Sequence, residues 1–483
     1  MANTNGTSEG LEWRVTISDR SPEKPAVESS WICRAWIGLL GIILALKSKV
    51  WRFWEKIRKL AVDDPRRIFH CFKVGLALTL VSLFYYIKPL HDGIGGTAMW
   101  AICTVVVVFE YTVGATLSKG LNRGVATLVA GALGFAIHWL ASQTGEKAEP
   151  VVLGVLVFLI VSTATFFRFV PTVKTRFDYG VLIFILTFSL VSISGYHEEK
   201  LFKLARERLC TIAIGGFMCL LVSISICPIW AGEELHHLIT CNIEKLANSL
   251  DDFFFFFLDL GYVAEYFNES GSTSDNKEPC QKSQGYKSVL NSKTTEESLA
   301  NLARWEPPHG RCWFRHPWKQ YLKIAAAIRC CAYRVEALNG SINSEIKAPE
   351  FMKKHLSEAC IKLSFQSSMV LKELVTTTKS MSRSSNIEFL VGEMNGAVED
   401  LRSSLKSLPD QVPPTLLPPS IEAMEEETPC ISTTKVPLTE VMPLVVLTSL
   451  LIEIAGRIQG VVDAVNELAA HANFKPAVDA EPR

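Results

Sequence analysis

Cations set inside apolar sequence, and one short segment crowded with reactive side chains, are the places where this chain could do chemistry. Lys73, Lys119, Arg123, Arg168 and Arg208 lie within or at the mouths of strongly apolar runs. An arginine near a bilayer centre costs on the order of 3 kcal/mol, so it faces a wet cavity, a partner or the headgroups. Along a water-filled path such cations attract small anions and replace part of their hydration shell. For Arg168, beside Lys174 and Arg176, a charge reaching the headgroups is the simpler reading. Arg123 fits that reading less well, at the mouth of a span next to Lys119 and Asn122. Arg208 fits it least, because it sits near the non-cytosolic end of its span with apolar sequence directly after it. Its neighbour Glu207 could neutralise it. Facing a common path, Arg123 and Arg208 would ring it from opposite ends, and two-fold assembly would double each.

The second place is "RWEPPHGRCWFRHPWKQY", residues 304–321. His309, Cys312 and His316 could ligate zinc in principle, but three groups without a fourth favour packing over a metal site. Pro307, Pro308 and Pro317 enforce a rigid turn before a helix starting near Trp318. Trp305, Glu306 and Pro307 then read as a latch, with Glu306 paired to a nearby arginine. No P-loop, GxSxG or HExxH pattern occurs, so no enzyme, cofactor or metal is expected.

The elements that must position these residues are helices. Lys+Arg and Asp+Glu balance at 49 each, which suggests no nucleic-acid partner, but the charges are segregated. Residues 31–70 carry nine basic against three acidic side chains, and residues 230–483 carry twenty-five against thirty-three. Six apolar stretches, near 71–87, 94–110, 121–141, 151–167, 177–193 and 205–229, each approach the ~20 residues that cross a bilayer as a helix. Basic loops stay cytosolic. The cations before the first span, Lys119 and Arg123, and Arg168, Lys174 and Arg176 all fall on one side, which leaves both termini cytosolic. The expectation is an all-α membrane protein: six transmembrane helices followed by a helical cytosolic domain. Its parts are an amino-terminal segment (1–66), a membrane domain (67–229) and a cytosolic domain (230–483).

Within the first part, "AWIGLLGIILAL" (35–46) is too short to span. Its flanking tryptophans and cations suggest an interfacial helix over about 31–54, in preference to a seventh span. The amino terminus lacks a signal-peptide pattern, so an internal segment should direct insertion. Ala126, Ala130 and Gly134 recur every four residues, a spacing that lets helices pack closely. Residues 265–298 read as a mobile loop with a short helix, and "LPDQVPPTLLPP" (408–419) as a proline-rich linker. A last helix over 439–471 carries a seam of Leu447, Leu451, Ile454, Ile458, Val461, Val465 and Leu468. That seam fits a helix hairpin, a dimer contact or an intrachain core.

"AMWAICTVVVVFEYTVGATLSKGLNRGVATLVAGALG", "RFDYGVLIFILTFSLVSISGY", "CPIWAGEELH" and "WEPPHGR" followed by "HPWKQY" strongly resemble the plant aluminium-activated malate transporter family. The resemblance implies a dimeric anion channel for malate and other anions, with six spans per subunit, bedded in membrane lipid. The plasma membrane is expected in preference to the tonoplast. By that resemblance Arg123 and Arg208 match arginines of the anion pathway. Asp92 and Glu199 match extracellular acids tied to aluminium response. A third such position is Lys203 here, a cation, which argues against aluminium gating because a hard trivalent ion wants clustered oxygen ligands. Two other classes compete. A proton-coupled anion carrier would need a relay, for which Glu110 and His138 are the candidates. A membrane-anchored interaction protein would leave the arginines unexplained.

Overall fold

The computed structural model describes residues 31–86, 98–145, 147–194, 198–266, 285–310, 316–342, 350–407 and 438–476. Among these the chain is all-α, with a single isolated bridge between Ser382 and Lys475. The chain divides into two units, Met1–Ile68 and Phe69–Arg483.

The first unit is dominated by α1 (Trp31–Asp63), which runs past the expected 31–54 to Asp63. Its side chains from Leu39 to Leu60 are exposed, apolar and charged alike. Asp64 breaks the helix and pairs with Arg67 at 3.1 Å, at the start of α2 (Pro65–Tyr86). Proline in the first turn of α2 is well placed, since its missing N–H would have had no intrahelical acceptor there.

The second unit continues α2 and adds α3 (Ala98–Val108), α4 (Val113–Ser142), α5 (Glu149–Phe167), α6 (Pro171–Arg176), α7 (Asp178–Ser194) and α8 (Glu198–Ser225). Four described helices are long and apolar enough to cross a membrane: Val113–Ser142, Glu149–Phe167, Arg208–Ser225 and Val441–His471. Met99–Val108 and Asp178–Ile193 are apolar but shorter. The apolar run expected at 94–110 is thus an eleven-residue helix within the described residues. The stretch expected at 121–141 begins eight residues earlier, at Val113. Polar residues in that first part are absorbed locally: the Thr116 hydroxyl donates to the Thr112 and Glu110 carbonyls at 3.1 and 3.3 Å.

These helices pack by close approach rather than by large interlocking side chains. A Cβ on Gly134 would lie 2.7 Å from Val191 Cγ1 on α7, and one on Gly215 of α8 would lie 2.9 Å from the Ala101 carbonyl oxygen of α3. Small residues permit such contact between apolar helices, the role the Ala126–Gly134 spacing suggested. Ala77, Val81, Val105, Val108, Met218 and Val222 form one core between α2, α3 and α8. Ala130, Ile137 and Phe188 form another, covered by α5. Much of the outer surface remains apolar: Phe135, Trp139, Phe158, Phe166 and Ile193 are all exposed. An apolar outer surface of this extent suits lipid or a second chain, not water.

A separate core begins at Ala231. It is built by α9 (Ala231–Tyr266), α10 (Gly285–Leu290), α11 (Lys293–Ala303), α12 (Trp318–Ile342), α13 (Glu350–Ser380), α14 (Ile387–Ser407) and α15 (Leu438–His471). Of residues 265–298, expected as a mobile loop with a short helix, 267–284 lie outside the described residues, and the rest hold the end of α9, α10 and the start of α11. Residues 408–419 lie outside the described residues. At the centre, Glu296 is fully buried and pairs with Arg329. It also accepts from Ser292 Oγ at 2.6 Å and Asn242 Nδ2 at 3.2 Å. One buried carboxylate thereby ties α9, α11 and α12, and its oxygens are satisfied as a buried charge requires. Phe253 and Phe257 of the five-phenylalanine run point into this core.

All seven residues of the α15 seam are buried in the same chain, against α12 and α13. The seam is an intrachain core, so its hydropathy reflects packing between helices. Replacing Ile458 with alanine is expected to destabilise this bundle by about 2–4 kcal/mol, the cost of a buried aliphatic cavity. Thermal unfolding of the detergent-solubilised chain reads that loss. Light scattering should show unchanged oligomeric state, whereas a seam shared between chains would lower it.

Candidate functional site

The joint between the two cores positions everything else. Thr112 caps α4, its side chain accepting from Ala115 N at 3.2 Å, and Val113 N donates to the Ile229 carbonyl at 2.9 Å. The start of α4 is therefore fixed beside the end of α8. Lys73 of α2 is 1% exposed and donates to the Cys227 carbonyl at 2.8 Å, where the backbone turns through a positive φ of 39°. Expected as a pathway cation, Lys73 instead closes the carboxy-terminal end of α8.

Arg123 lies ten residues into α4, which at 1.5 Å per residue is about 15 Å from the helix start. It is 8% exposed, and its Nη1 donates to the Tyr179 hydroxyl of α7 at 3.2 Å. Lys119, one turn earlier, pairs with Glu110 and faces the same Tyr179 ring at 5.6 Å. Arg208 sits on α8 with its guanidinium 4.0 Å above the Trp100 ring of α3. The ring face attracts the cation without making a hydrogen bond, so the guanidinium is held by the ring. The Nε of Arg123 and the Nε of Arg208 are both buried with no hydrogen-bond partner. The two guanidiniums also lie within mutual electrostatic reach. Arg208 lies seventeen residues, about 25 Å, before the end of α8, at the first residue of the apolar stretch Arg208–Ser225.

Arg168 makes a two-point bond to Asp178, Nε to Oδ1 at 2.8 Å and Nη2 to Oδ2 at 3.3 Å. Its charge is met locally, which removes it from the group of open cations. His138 bonds the Ser192 carbonyl at 3.1 Å, an ordinary satisfied interior histidine. Asp92 lies outside the described residues, and Glu199 falls in the first turn of α8 with its side chain outside them.

The latch segment follows α11. The Glu306 side chain is 1% exposed and its oxygens accept three main-chain bonds. Oε1 takes Gly114 N at 3.2 Å and Ala231 N at 2.6 Å, and Oε2 takes Gly232 N at 3.0 Å. One carboxylate therefore caps the amino-terminal ends of α4 and α9 together. Both ends carry unsatisfied N–H groups and a positive dipole end, so an anion is favoured there. Sequence reasoning expected an arginine partner and missed this, because amide positions leave no trace in residue types. The glycines are the available signal: a Cβ on Gly114 would lie 2.5 Å from the Leu302 carbonyl oxygen, and one on Gly232 would strike the Trp318 ring. Burial pushes the Glu306 carboxyl above the usual range, opposed by the amides of Gly232 and Ala231, then by His309 and Gly114. Trp305 and Pro307 are exposed at either side of it.

His309 stacks on Trp230 at 3.8 Å, and its Nδ1 bonds the Pro307 carbonyl at 2.8 Å. His316 is buried against Tyr321, whose hydroxyl bonds both His316 Nε2 at 3.2 Å and His236 Nδ1 at 3.1 Å. Both imidazoles of the suspected zinc group are thus engaged in the joint. Cys312 lies outside the described residues, among which no cluster of three potential ligands occurs.

Two predictions follow from this joint. Glu306→Ala strands three buried amides, each worth roughly 1–3 kcal/mol. Hydrogen exchange at Gly114, Ala231 and Gly232 should then accelerate together by at least about tenfold, whereas a merely local role would affect one helix only. The second concerns pH. Burial, then the nearby His236 and His309, lower the His316 pKa from 6.5 to about 4. As pH falls from 6.5 toward about 4 the unfolded chain binds a proton that the folded site refuses, so stability is lost across that window. The unfolding temperature should fall there in the parent chain, and more shallowly in His316→Asn.

The capped joint, Arg123, Arg208 and the segment 304–321 all fall within residues 58–417, the stretch matched by the sequence model of the aluminium activated malate transporter family. Aluminum-activated malate transporter 10 of Arabidopsis thaliana is 49% identical over 484 residues, covering 96% of this chain and 95% of the relative. Aluminum-activated malate transporter 2 of the same plant is 44% identical over 421 residues, 86% of this chain and 77% of the relative. Aluminum-activated malate transporter 1 of Triticum aestivum is 40% identical over 453 residues, 92% of this chain and 91% of the relative. Matches of this length and identity leave one assignment: the chain belongs to the aluminium activated malate transporter family.

Proposed function

We propose that this integral membrane protein is an anion channel that passes malate and other small anions through a pore lined by cations. The observation that carries the reading is the pair Arg123 and Arg208. Each guanidinium sits on an apolar helix and keeps a buried Nε–H with no partner, and the two like charges lie within electrostatic reach of one another. Left empty, this arrangement is costly, since a buried unpaired donor forfeits its hydration. An anion's carboxylate supplies the missing acceptor and relieves the repulsion. Trp100 and Tyr179 hold the arginines without neutralising them. Lys119 adds a cation nearer the start of α4, with Glu110 moderating how tightly an anion is held there. Conduction needs that moderation, because an anion bound too well does not leave.

In this reading α2, α3, α4, α5, α7 and α8 are the six spans, and both termini and the bundle from Ala231 onward are cytosolic. Two copies assemble around the path, and the plasma membrane is the host. The relatives' names, all malate transporters, support the choice of anion. The capped joint at Glu306 couples the cytosolic bundle to α4, the helix that carries Lys119 and Arg123, so a movement of α9 reaches the path directly.

Charge reversal tests it. Whole-cell currents in a heterologous membrane, with malate and chloride on alternate sides, are expected to fall at least about tenfold in Arg208→Glu. Arg208→Lys should retain part of the current, since a point charge remains while the flat stacked fork is lost. Unchanged current and selectivity in Arg208→Glu would remove the proposed path. A reversal potential that follows the proton gradient would identify a carrier instead of a channel.

A further inference from the structure

A cavity that neither Arg123 nor Arg208 lines is present among the apolar helices. It has a volume of about 520 Å³ and opens between α5 and α7 beneath the short helix α6. Its lining includes Leu159, Ile160, Thr163, Phe167, Phe177 and Phe184. The one hydroxyl among the lining side chains, Thr163 Oγ1, already donates to the Leu159 carbonyl at 2.8 Å. No free donor is offered, so a polar metabolite would lose its hydration there without compensation. A hydrocarbon tail loses nothing.

The mouth differs from the interior. It is bordered by α6, whose last turn carries Lys174 and Arg176. Both are exposed. The neighbouring Arg168 is already spent on Asp178, so the pair Lys174 and Arg176 supplies the positive charge at this rim. The end of α6 is fixed, because the Arg176 carbonyl accepts from Asn122 Nδ2 of α4 at 3.2 Å. Apolar slot and cationic rim together match one class of molecule: a tail attached to a negative head. Basic groups at the cytosolic boundary attract anionic lipids, which are concentrated in that leaflet. The face of α5 that leads to the slot, with Val155, Phe158 and Phe166 exposed, is already the kind of surface lipid covers.

We infer that this cavity is a binding site for an anionic phospholipid of the surrounding bilayer, one acyl chain seated between α5 and α7 and the headgroup held by Lys174 and Arg176. The inference rests on α5 and α7 being spans with α6 at the cytosolic face. Through Asn122 the lipid would lean on α4 one residue from Arg123, which gives bilayer composition a short mechanical route to the anion path.

The test uses the full chain in nanodiscs containing phosphatidylcholine and phosphatidylserine with the same acyl chains, followed by detergent extraction and native mass spectrometry of the lipid retained. Phosphatidylserine is expected to be retained in preference, at least fivefold over its share of the disc. Lys174→Gln with Arg176→Gln should abolish the preference while some lipid of either kind remains. Leu159→Trp, which fills the slot from an exposed position, should reduce retention of both lipids several-fold. Equal retention of both lipids by the parent chain, or retention unchanged in both variants, overturns the proposal. So does a shift in oligomeric state caused by Leu159→Trp, which would make a second copy of the chain the occupant. These variants leave Arg123 and Arg208 in place, so failure of the transport reading appears separately, as absent current in a parent chain that still retains lipid.

Discussion

A helix that begins inside a protein must find acceptors for its first N–H groups, and here two helices share one. The Glu306 carboxylate receives amides from α4 and from α9, so the apolar bundle and the bundle beginning at Ala231 are joined by a single buried anion. Lys73 does the complementary work at the other pole, donating to the carbonyl that ends α8. The joint therefore has a negative cap on two helix starts and a positive cap on a helix end, each matched to the local dipole. Segment 304–321 turns out to be architecture. Its reactive side chains are spent on stacking and on hydrogen bonds within the joint.

That joint gives the arginines their meaning. Fixing the start of α4 beside the end of α8 determines how deep each cation sits. Three other basic candidates show the contrast. Lys73 is taken by a carbonyl, Arg168 by Asp178 and Lys119 by Glu110. Arg123 and Arg208 have aromatic company, and among the described residues the buried Nε of each has no partner. The two are suited to an anion that arrives and leaves.

Hydropathy proves ambiguous in this chain, and packing resolves it. The last helix is apolar and long enough to cross a membrane, yet its seam is buried against α12 and α13. The helix Glu149–Phe167 is of similar apolarity, but only Ala164 among its residues is buried. The difference lies in periodicity. A seam repeating at alternating steps of four and three has a polar back, whereas α5 is apolar all round and finds no protein to cover it.

The sequence alone determined the helical class, the crowding of apolar helices between residues 71 and 229, and the family, since all of these are carried by residue type and spacing. It also singled out Arg123 and Arg208, because a cation in apolar sequence is conspicuous without any structure. Tertiary structure alone decided their neighbours. The Glu306 acceptors are backbone amides from positions 114, 231 and 232, which no side-chain pattern encodes. Lys73 meets a carbonyl 154 residues away. The depths of positions 123 and 208 depend on the lengths of two helices whose ends are set by capping, a property of the folded joint. Residue chemistry names the groups that can bind; only the packing of the helices fixes which of them are left with nothing to bind.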